Sequence, residues 1–111
     1  MDCIFCKIIA GEIPSKKVYE DEKVFAFYDI NPQAKIHILV VPKQHICCAN
    51  AINSDNSDAV AAVFEAIPKI AKQLGIDSYR VINNCGEKAG QSVLHLHFHL
   101  LYDETLGAKI L

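Results

Sequence analysis

Three histidines that alternate with hydrophobic residues stand near the end of this 111-residue chain, in the segment LHLHFHL at positions 94–100. On a β-strand, successive side chains point to opposite faces of the sheet. The pattern therefore predicts a strand with His95, His97 and His99 on one face, about 7 Å apart, and an apolar surface on the other. A helix would scatter the same residues around its circumference, so the alternation favours a strand.

Imidazole groups in register suit a reaction site, because their pKa values near neutrality allow proton transfer, nucleophilic attack and phosphate binding. Two plainer interpretations are open at this point: a solvated strand face that uses histidine, or an incidental metal-binding tract. Exposed strand faces normally mix threonine, lysine, glutamate and serine, so three histidines in register favour the reaction site.

The loop that leads into these histidines, residues 84–92 (NCGEKAGQS), has features of an anion site. Gly86 and Gly90 let backbone N–H groups approach an anion closely, and Gln91 and Ser92 add hydrogen-bond donors. Alone, the segment would be an ordinary turn. Because it runs directly into the histidines, we interpret it as the phosphate-binding half of the same site.

The five cysteines fall into two groups. Cys3 and Cys6 have the spacing that lets two thiolates hold one metal ion, with two buried thiols as the alternative. Cys47, Cys48 and Cys85 belong to no motif, and we expect them to pack or to lie exposed.

The elements that must position these residues can be read from periodicity and turn signals. Helical spacing of apolar residues predicts a long helix that starts near Val60 and ends at Leu74, with Gly75 as its C-terminal stop and a kink at Pro68. The remaining predicted elements are a short helix over Cys3–Ala10 and strands over Val18–Glu20, Lys23–Ile30, Ile36–Val41, Ser78–Asn83 and Ser92–Leu101. Grouped strands of this kind favour the α+β class, with a five-stranded, mostly antiparallel sheet, one long helix and one short helix.

Composition narrows the class of protein further. The length suits a single domain over 1–111, and 51% hydrophobic residues supply material for its core. A net charge of −2 with scattered lysines argues against a nucleic-acid partner. Neither a membrane-spanning run nor a secretory signal is evident. We therefore expect a soluble cytoplasmic protein that holds thiols or metal ligands rather than disulfides.

Several motifs together resemble one family. The segment His95–Leu101 fits the His-φ-His-φ-His-φ-φ signature of the histidine triad (HIT) family, in which φ is hydrophobic. The residues GQSV just before it look like the Hint-like nucleotide phosphoramidase branch. Further matches cover about nine-tenths of the chain and lie at Cys3–Ile9, Phe27–Pro32, His37 and Val40–Ile46. On these residues the chain is identified as a member of the HIT family.

The resemblance implies a covalent mechanism. His97 would be the nucleophile that attacks the α-phosphorus of a nucleotide, with its other ring nitrogen held by a backbone carbonyl, and water would hydrolyse the nucleotidyl-histidine. His99 would lie against the phosphate and supply charge to the transition state. His37, which taken alone would pass for a core histidine, resembles the family's fourth active-site histidine. Ser92 would hydrogen-bond the leaving group and help to protonate it.

The resemblance also implies a nucleotide pocket. Asp29 would accept hydrogen bonds from the ribose hydroxyls, and Ile30 would help to wall the base. Phe5, Ile8 and Phe27 would complete this wall, with a plain core role as the alternative for each. The positions expected to line the phosphate are Asn84, Gly90, Gln91, Ser92, His97 and His99.

A zinc-bearing subset of the family is similar in its metal ligands. It implies a structural zinc ion held by Cys3, Cys6, His45 and His95, a closed Cys₂His₂ set that leaves no position for water. No organic cofactor is expected. Family members are usually homodimers, and the resemblance predicts the same here, with the long helix and the fifth strand near the interface.

The chain departs from the family pattern after the triad. The phosphoramidase branch continues with a Gly-Gly-Arg-like turn and a C-terminal tail that reaches the partner's active site, whereas this chain has Tyr102-Asp103-Glu104-Thr105 and stops at Leu111. The departure bears on leaving-group selectivity, because acidic residues at 103 and 104 are expected to repel a polyphosphate.

Three functions follow in order of preference. The first is hydrolysis of nucleoside 5′-phosphoramidates, with a purine, and in the first place adenosine, as the nucleoside. Dinucleoside polyphosphate hydrolysis is a variant of the same class that ranks lower, because Gln91-Ser92 fits the phosphoramidase branch and because of the acidic residues at 103 and 104. The second is a nucleotide-binding regulatory or scaffold protein whose turnover is incidental. A zinc-binding protein with no nucleotide role would leave the loop over 84–92 unexplained.

Overall fold

A five-stranded antiparallel sheet and two α-helices make up residues 3–107, the part of the chain that the computed structural model describes. The strands follow the spatial order β1-β2-β3-β5-β4. The elements are α1 (Ile4–Ile9), β1 (Lys17–Glu20), β2 (Val24–Tyr28), β3 (Ile36–Pro42), α2 (Ser57–Leu74), β4 (Arg80–Ile82) and β5 (Phe98–Tyr102), with 3₁₀ turns at Ala49–Ala51 and Glu87–Ala89. The α+β class with one long and one short helix is confirmed.

The two faces of the sheet bury different sets of residues. One face contributes alternate residues of β2, β3 and β5 to a core against α2, including Ala26, Val40 and Leu100. The opposite face packs Phe27, Leu39 and their neighbours against α1. Because the side-chain period of a strand is two residues, side chains that alternate with the α2-facing residues point to the side of the sheet on which α1 packs.

The helix α2 ends as its sequence predicts. Gly75 has a φ of 73°, a left-handed conformation in which its N–H caps the last turn. The kink predicted at Pro68 does not break the helix, which continues through this residue to Leu74. Pro68 lies on the exposed side of α2, where water can bind the carbonyl that loses its helical partner.

The last strand begins later than predicted. β5 starts at Phe98, six residues after Ser92, so His95 and His97 precede the strand instead of lying within it. The reason lies in the neighbouring strand: β3 ends at Pro42, whose carbonyl accepts a hydrogen bond from the His95 ring at 2.8 Å. The last paired residues are Val40 and Phe98. Beyond them, the His95 ring rather than a backbone N–H of the partner strand bonds the Pro42 carbonyl.

Among the described residues, no helix is both long enough and apolar enough to cross a membrane.

Candidate active site and metal group

The three triad histidines divide between two clusters. The His95 ring is fully buried and points toward Cys3, Cys6 and His45. His97 and His99 stay together, with ring centroids 5.2 Å apart. The predicted alternation is present, since Leu96, Phe98 and Leu100 enter the core against α2 and the Phe5 ring is edge-on to both His95 and His97. The backbone bends at residues 93–95, before the strand begins, and His95 serves the other cluster.

Two backbone contacts hold His97. Its Nδ1 lies 2.7 Å from the carbonyl oxygen of His95. A carbonyl can only accept, so Nδ1 carries the proton and Nε2 keeps its lone pair. The carbonyl of His97 in turn accepts from the Asn83 side-chain amide at 2.9 Å. The result is a buried imidazole in the tautomer that a nucleophile requires.

Asn83 was not among the residues predicted from the sequence, which singled out its neighbour Asn84. The adjacent pair of asparagines was the available signal, but only the register of β4 shows which one turns inward. Ile82 pairs with His99, so the antiparallel register puts Asn83 level with Phe98, from where its side-chain amide reaches the His97 carbonyl. Asn84 itself is half-buried at the start of the loop.

His37 and His99 form a hydrogen-bonded pair on the sheet face beside α1. His99 lies opposite Leu39 in the β3–β5 ladder, and His37 is two residues before Leu39 on the same face. The His37 Nδ1 accepts from the Gln33 N–H at 3.0 Å, so its proton is on Nε2. That Nε2–H donates to the Nδ1 of His99 at 2.8 Å, which leaves the proton of His99 on its own Nε2.

Burial keeps both rings neutral. Desolvation lowers the pKa of His99 to about 4, with further lowering by His97 and His37 and a smaller opposing effect of Asp29. Desolvation likewise lowers the pKa of His37, again against the pull of Asp29. The His99 ring is therefore neutral near pH 7 and carries an N–H donor, while its expected role beside the phosphate stays a prediction.

Asp29 and an adjoining cavity lie next to this pair. The Asp29 Oδ2 is 3.4 Å from the His37 Nε2, and its Oδ1 accepts from the Asn31 N–H at 2.8 Å. The cavity has a volume of about 760 Å³ and is lined by Ile8, Phe27, Asp29, Ile30, Lys35 and His37, among others. This volume suits a drug-sized or nucleoside-sized ligand.

The predicted wall residues differ in how they meet this cavity. Ile30 is 92% exposed, so its side chain is available to a ligand. Ile8 and Phe27 line the cavity and also belong to the core beneath it. Phe5 lies deeper, with its ring edge-on to that of His97 at a centroid distance of 5.1 Å, and it supports the histidine.

The glycine-rich loop is organised by Gln91. Its buried side-chain oxygen accepts from the Gly86 N–H at 2.8 Å, and its side-chain nitrogen donates to the carbonyls of Cys47 and Val93. Its backbone N–H also donates, to the Gly86 carbonyl. Gln91 was predicted to donate to phosphate, but all these donors already have backbone partners, in the loop at Gly86 and outside it at Cys47 and Val93. It is a positioning residue.

Other loop groups face solvent. Gly90 has a φ of 93°, a conformation that side chains other than glycine rarely adopt, and it is exposed. Ser92 is exposed as well. These two residues therefore keep the accessibility that contact with a phosphate or a leaving group requires.

The second cluster could hold a metal ion. The ligand atoms of Cys3, Cys6, His45 and His95 all lie within 4.8 Å of one another. The His95 Nε2 donates to the Pro42 carbonyl, which leaves the lone pair on Nδ1. That Nδ1 is 3.3 Å from the Cys3 sulfur and 3.2 Å from the Nδ1 of His45. α1 thus begins at a potential metal ligand.

The acidic residues after the triad both contact Lys35. The Asp103 carboxylate accepts from the backbone N–H of Lys35 at 2.9 Å, and Glu104 pairs with the Lys35 ammonium at 2.7 Å. Lys35 lines the cavity that also contains Asp29. The Lys35 ammonium offsets the charge of Glu104 alone, whereas Asp103 accepts from a neutral backbone N–H and keeps its charge. One net negative charge therefore remains at the Asp29 side of the site, and the repulsion of a polyphosphate leaving group stays a prediction.

Comparison with known proteins identifies the family to which this sequence and geometry belong. The HIT domain profile matches residues 10–105. The purine nucleoside phosphoramidase of Escherichia coli K12 is 44% identical over 111 residues, covering 98% of this chain and 93% of its own length. A histidine triad protein of Clostridium difficile has a TM-score of 0.93 at 54% identity, covering 97% of this chain and 96% of its own.

A HIT family hydrolase of Clostridium thermocellum superimposes with a TM-score of 0.95 at 49% identity, covering 99% of this chain and 97% of its own. The chain belongs to the HIT domain family. Within that family it is a hydrolase, as the hydrolase neighbour and the phosphoramidase relative indicate. The site that contains His97 and His99 agrees with this class.

Proposed function

We propose that this hydrolase cleaves purine nucleoside 5′-phosphoramidates through a nucleotidyl intermediate on His97. One observation carries the proposal: the Nδ1 of His97 is committed to the His95 carbonyl at 2.7 Å, so the Nε2 lone pair is the reactive one. The purine preference rests on the named activity of the Escherichia coli relative.

In the first step the His97 Nε2 attacks the α-phosphorus. The new N–P bond forms as the bond from phosphorus to the leaving amine breaks, and the amine leaves with an added proton. Ser92, exposed at the end of the loop, is the group proposed to hydrogen-bond the leaving nitrogen and donate this proton, which it regains from the attacking water in the second step. General acid assistance of this kind typically contributes about 10²–10⁴-fold.

Water then attacks phosphorus, breaks the N–P bond and releases the nucleoside monophosphate, which restores neutral His97. Throughout, His99 offers its Nε2–H to a phosphate oxygen, since its Nδ1 accepts from His37 at 2.8 Å. The Gln33 N–H donates to the His37 Nδ1 and thereby keeps the proton of His37 on the Nε2 that faces His99. Preorganised donors of this type stabilise charge as it develops on phosphorus.

The nucleoside would occupy the cavity beside Asp29. The Asp29 carboxylate is partly exposed and has acceptor capacity left for ribose hydroxyls. Ile30, Ile8 and Phe27 would contact the base. Asn84 and Gly90 would face the phosphate from the loop.

We also propose that the metal is zinc. Zinc bonds of about 2.0–2.1 Å to nitrogen and about 2.3 Å to sulfur put tetrahedral ligand atoms about 3.3 Å apart for two nitrogens, about 3.6 Å for nitrogen and sulfur, and about 3.8 Å for two sulfurs. The observed separations that involve His95 Nδ1 are 3.2, 3.3 and 3.6 Å, and the Cys6 sulfur lies 3.5 Å from the His45 Nδ1. When bound, zinc would pin α1 to the end of β3 and take no part in the reaction.

A homodimer is the proposed assembly. β4 is an edge strand, since its pairing within the chain is to β5 alone among the described residues. Phe64 of α2 and Tyr79 before β4 are large exposed side chains near this edge. Light scattering coupled to gel filtration would measure the mass in solution, and a monomer at micromolar concentration would contradict the assembly.

Steady-state hydrolysis tests the function directly. We expect release of AMP from adenosine 5′-phosphoramidate by the native protein and its loss in His97→Ala, with AMP binding retained in calorimetry. A higher kcat/KM for a dinucleoside polyphosphate would reassign the substrate within the hydrolase class. AMP binding without turnover of either substrate would favour the nucleotide-binding regulatory role.

A further inference from the structure

Three cysteines outside the metal group meet at the base of the glycine-rich loop. Cys47 and Cys48 precede the 3₁₀ turn Ala49–Ala51, and Cys85 follows Asn84 in the loop. The Cys47 thiol donates to the Cys48 sulfur at 3.2 Å. The Cys48 sulfur also interacts with the Cys85 thiol, so it is the central member of the cluster.

Backbone groups add to this arrangement. Asn50 and Ala51 follow Cys48 in the 3₁₀ turn, where the Ala51 N–H donates to the Cys48 carbonyl oxygen at 3.0 Å and both N–H groups lie near the Cys48 side chain. Hydrogen bonds from Cys47, from these N–H groups and from Cys85 lower the pKa of Cys48, against an opposing effect of burial. A thiolate is the nucleophilic form of cysteine, and Cys48 is half-buried, with solvent access from the exposed Cys47 side.

We propose that Cys48 is a peroxide-reactive thiol and that Cys85 is its resolving partner, so that a hydroperoxide produces a reversible Cys48–Cys85 disulfide. The Cys48 thiolate attacks the terminal peroxide oxygen, the O–O bond breaks, and the alkoxide or hydroxide leaves with a proton. Cys85 then attacks the sulfenic sulfur, an S–S bond forms, and the S–O bond breaks to release water. The two thiols are oxidised, and the peroxide is reduced.

Geometry favours Cys85 over Cys47 as the partner. Cys47 and Cys48 are joined by a trans peptide bond, which fixes their Cα atoms about 3.8 Å apart. Disulfides usually need about 4.4–6.8 Å between Cα atoms. Cys85 comes from a different segment and is free of this restriction.

The bond would join two segments that Gln91 already connects. Gln91 bonds the Gly86 N–H, next to Cys85, and the Cys47 carbonyl, next to Cys48. A Cys48–Cys85 disulfide would add a covalent bond between two segments that the Gln91 side chain already joins by hydrogen bonds. Formation of the disulfide is independent of the proposed function, whereas any effect on turnover through Asn84 and Gly90 rests on it.

Peptide mapping of the full-length, metal-loaded protein tests the proposal. The protein is treated with hydrogen peroxide, remaining thiols are alkylated, and a non-reducing tryptic digest is analysed by mass spectrometry. Cys47 and Cys48 fall in the peptide 44–69 and Cys85 in 81–88, so the expected product is a cross-link between these peptides that dithiothreitol reverses.

Three variants assign the cross-link. It is expected to be lost in Cys48→Ser and Cys85→Ser and to persist in the matched control Cys47→Ser, whose hydroxyl still donates to Cys48. Cys85→Ser should accumulate a Cys48 sulfenic acid that dimedone traps. A native protein that yields no 44–69 to 81–88 cross-link, or a cross-link that requires Cys47, overturns the proposal even if the serine variants fail to fold.

Activity separates the two proposals. If the protein forms the cross-link but hydrolyses adenosine 5′-phosphoramidate in neither its reduced nor its oxidised form, the proposed function is refuted and the thiol site stands. An active protein without the cross-link would do the reverse.

Discussion

Replacing His99 with asparagine should flatten the acid sensitivity of the fold. The free-histidine pKa of 6.5 falls to about 4 in the folded protein because the ring is desolvated. Between these two values the unfolded chain binds a proton that the folded chain excludes. Stability from this group is therefore present above pH 6.5 and is lost as the pH falls toward 4.

The size of the effect follows from the two pKa values. Lowering the pH from about 7 to about 4.5 should remove about 2 kcal/mol of unfolding free energy through His99 alone. His99→Asn has no group to titrate at this position. Between pH 7 and pH 4.5 its unfolding free energy should therefore fall by about 2 kcal/mol less than that of the native protein. His37 remains in both proteins, as does the Cys3–Cys6–His45–His95 group, so most of their own acid sensitivity cancels in the difference.

Urea unfolding followed by far-ultraviolet circular dichroism suits this test, because the chain contains no tryptophan. Protein concentration is held constant, since an assembled protein has a concentration-dependent stability. Parallel pH profiles for the two proteins would mean that His99 titrates normally in the folded state, and would refute the buried, neutral His37–His99 pair.

Three further changes test the loop and the metal group. Gln91→Ala leaves the Gly86 N–H and two carbonyls unpaired, and urea unfolding should show a loss of about 2–4 kcal/mol; a loss below that of an exposed-site control would contradict its positioning role. Gly90→Ala forces a side chain into the left-handed region at φ 93°, at about 1–2 kcal/mol, and unchanged thermal unfolding would count against this conformation. Cys3→Ser should abolish stoichiometric zinc, measured by elemental analysis, and lower the Tm; retained zinc would mean that the ion is bound elsewhere.

Local patterns predicted most of the fold. The run Ile36–Val41 and the helical spacing that ends at Gly75 depend on neighbours in sequence, and both elements lie where periodicity put them. The start of β5 could not be found in this way. The histidine alternation continues to His95, but Pro42 ends the partner strand and the pairing stops at Phe98.

The candidate site also contains some features that the sequence reveals and others that only the fold reveals. Side chains with unusual chemistry, such as His97 and Asp29, stand out in the sequence. The groups that set their protonation are mainly backbone atoms, namely the His95 and Pro42 carbonyls and the Gln33 N–H. Backbone groups are present at every position, so no sequence signal distinguishes those that matter.

Mass spectrometry of the intact protein during turnover tests the central claim most directly. Samples taken during hydrolysis of adenosine 5′-phosphoramidate are quenched in base, because N–P bonds hydrolyse in acid, and any adduct is mapped by peptide fragmentation. The account predicts a transient AMP adduct on His97 that is absent in His97→Ala. An adduct on another residue, or AMP release by His97→Ala at the native rate, would contradict it.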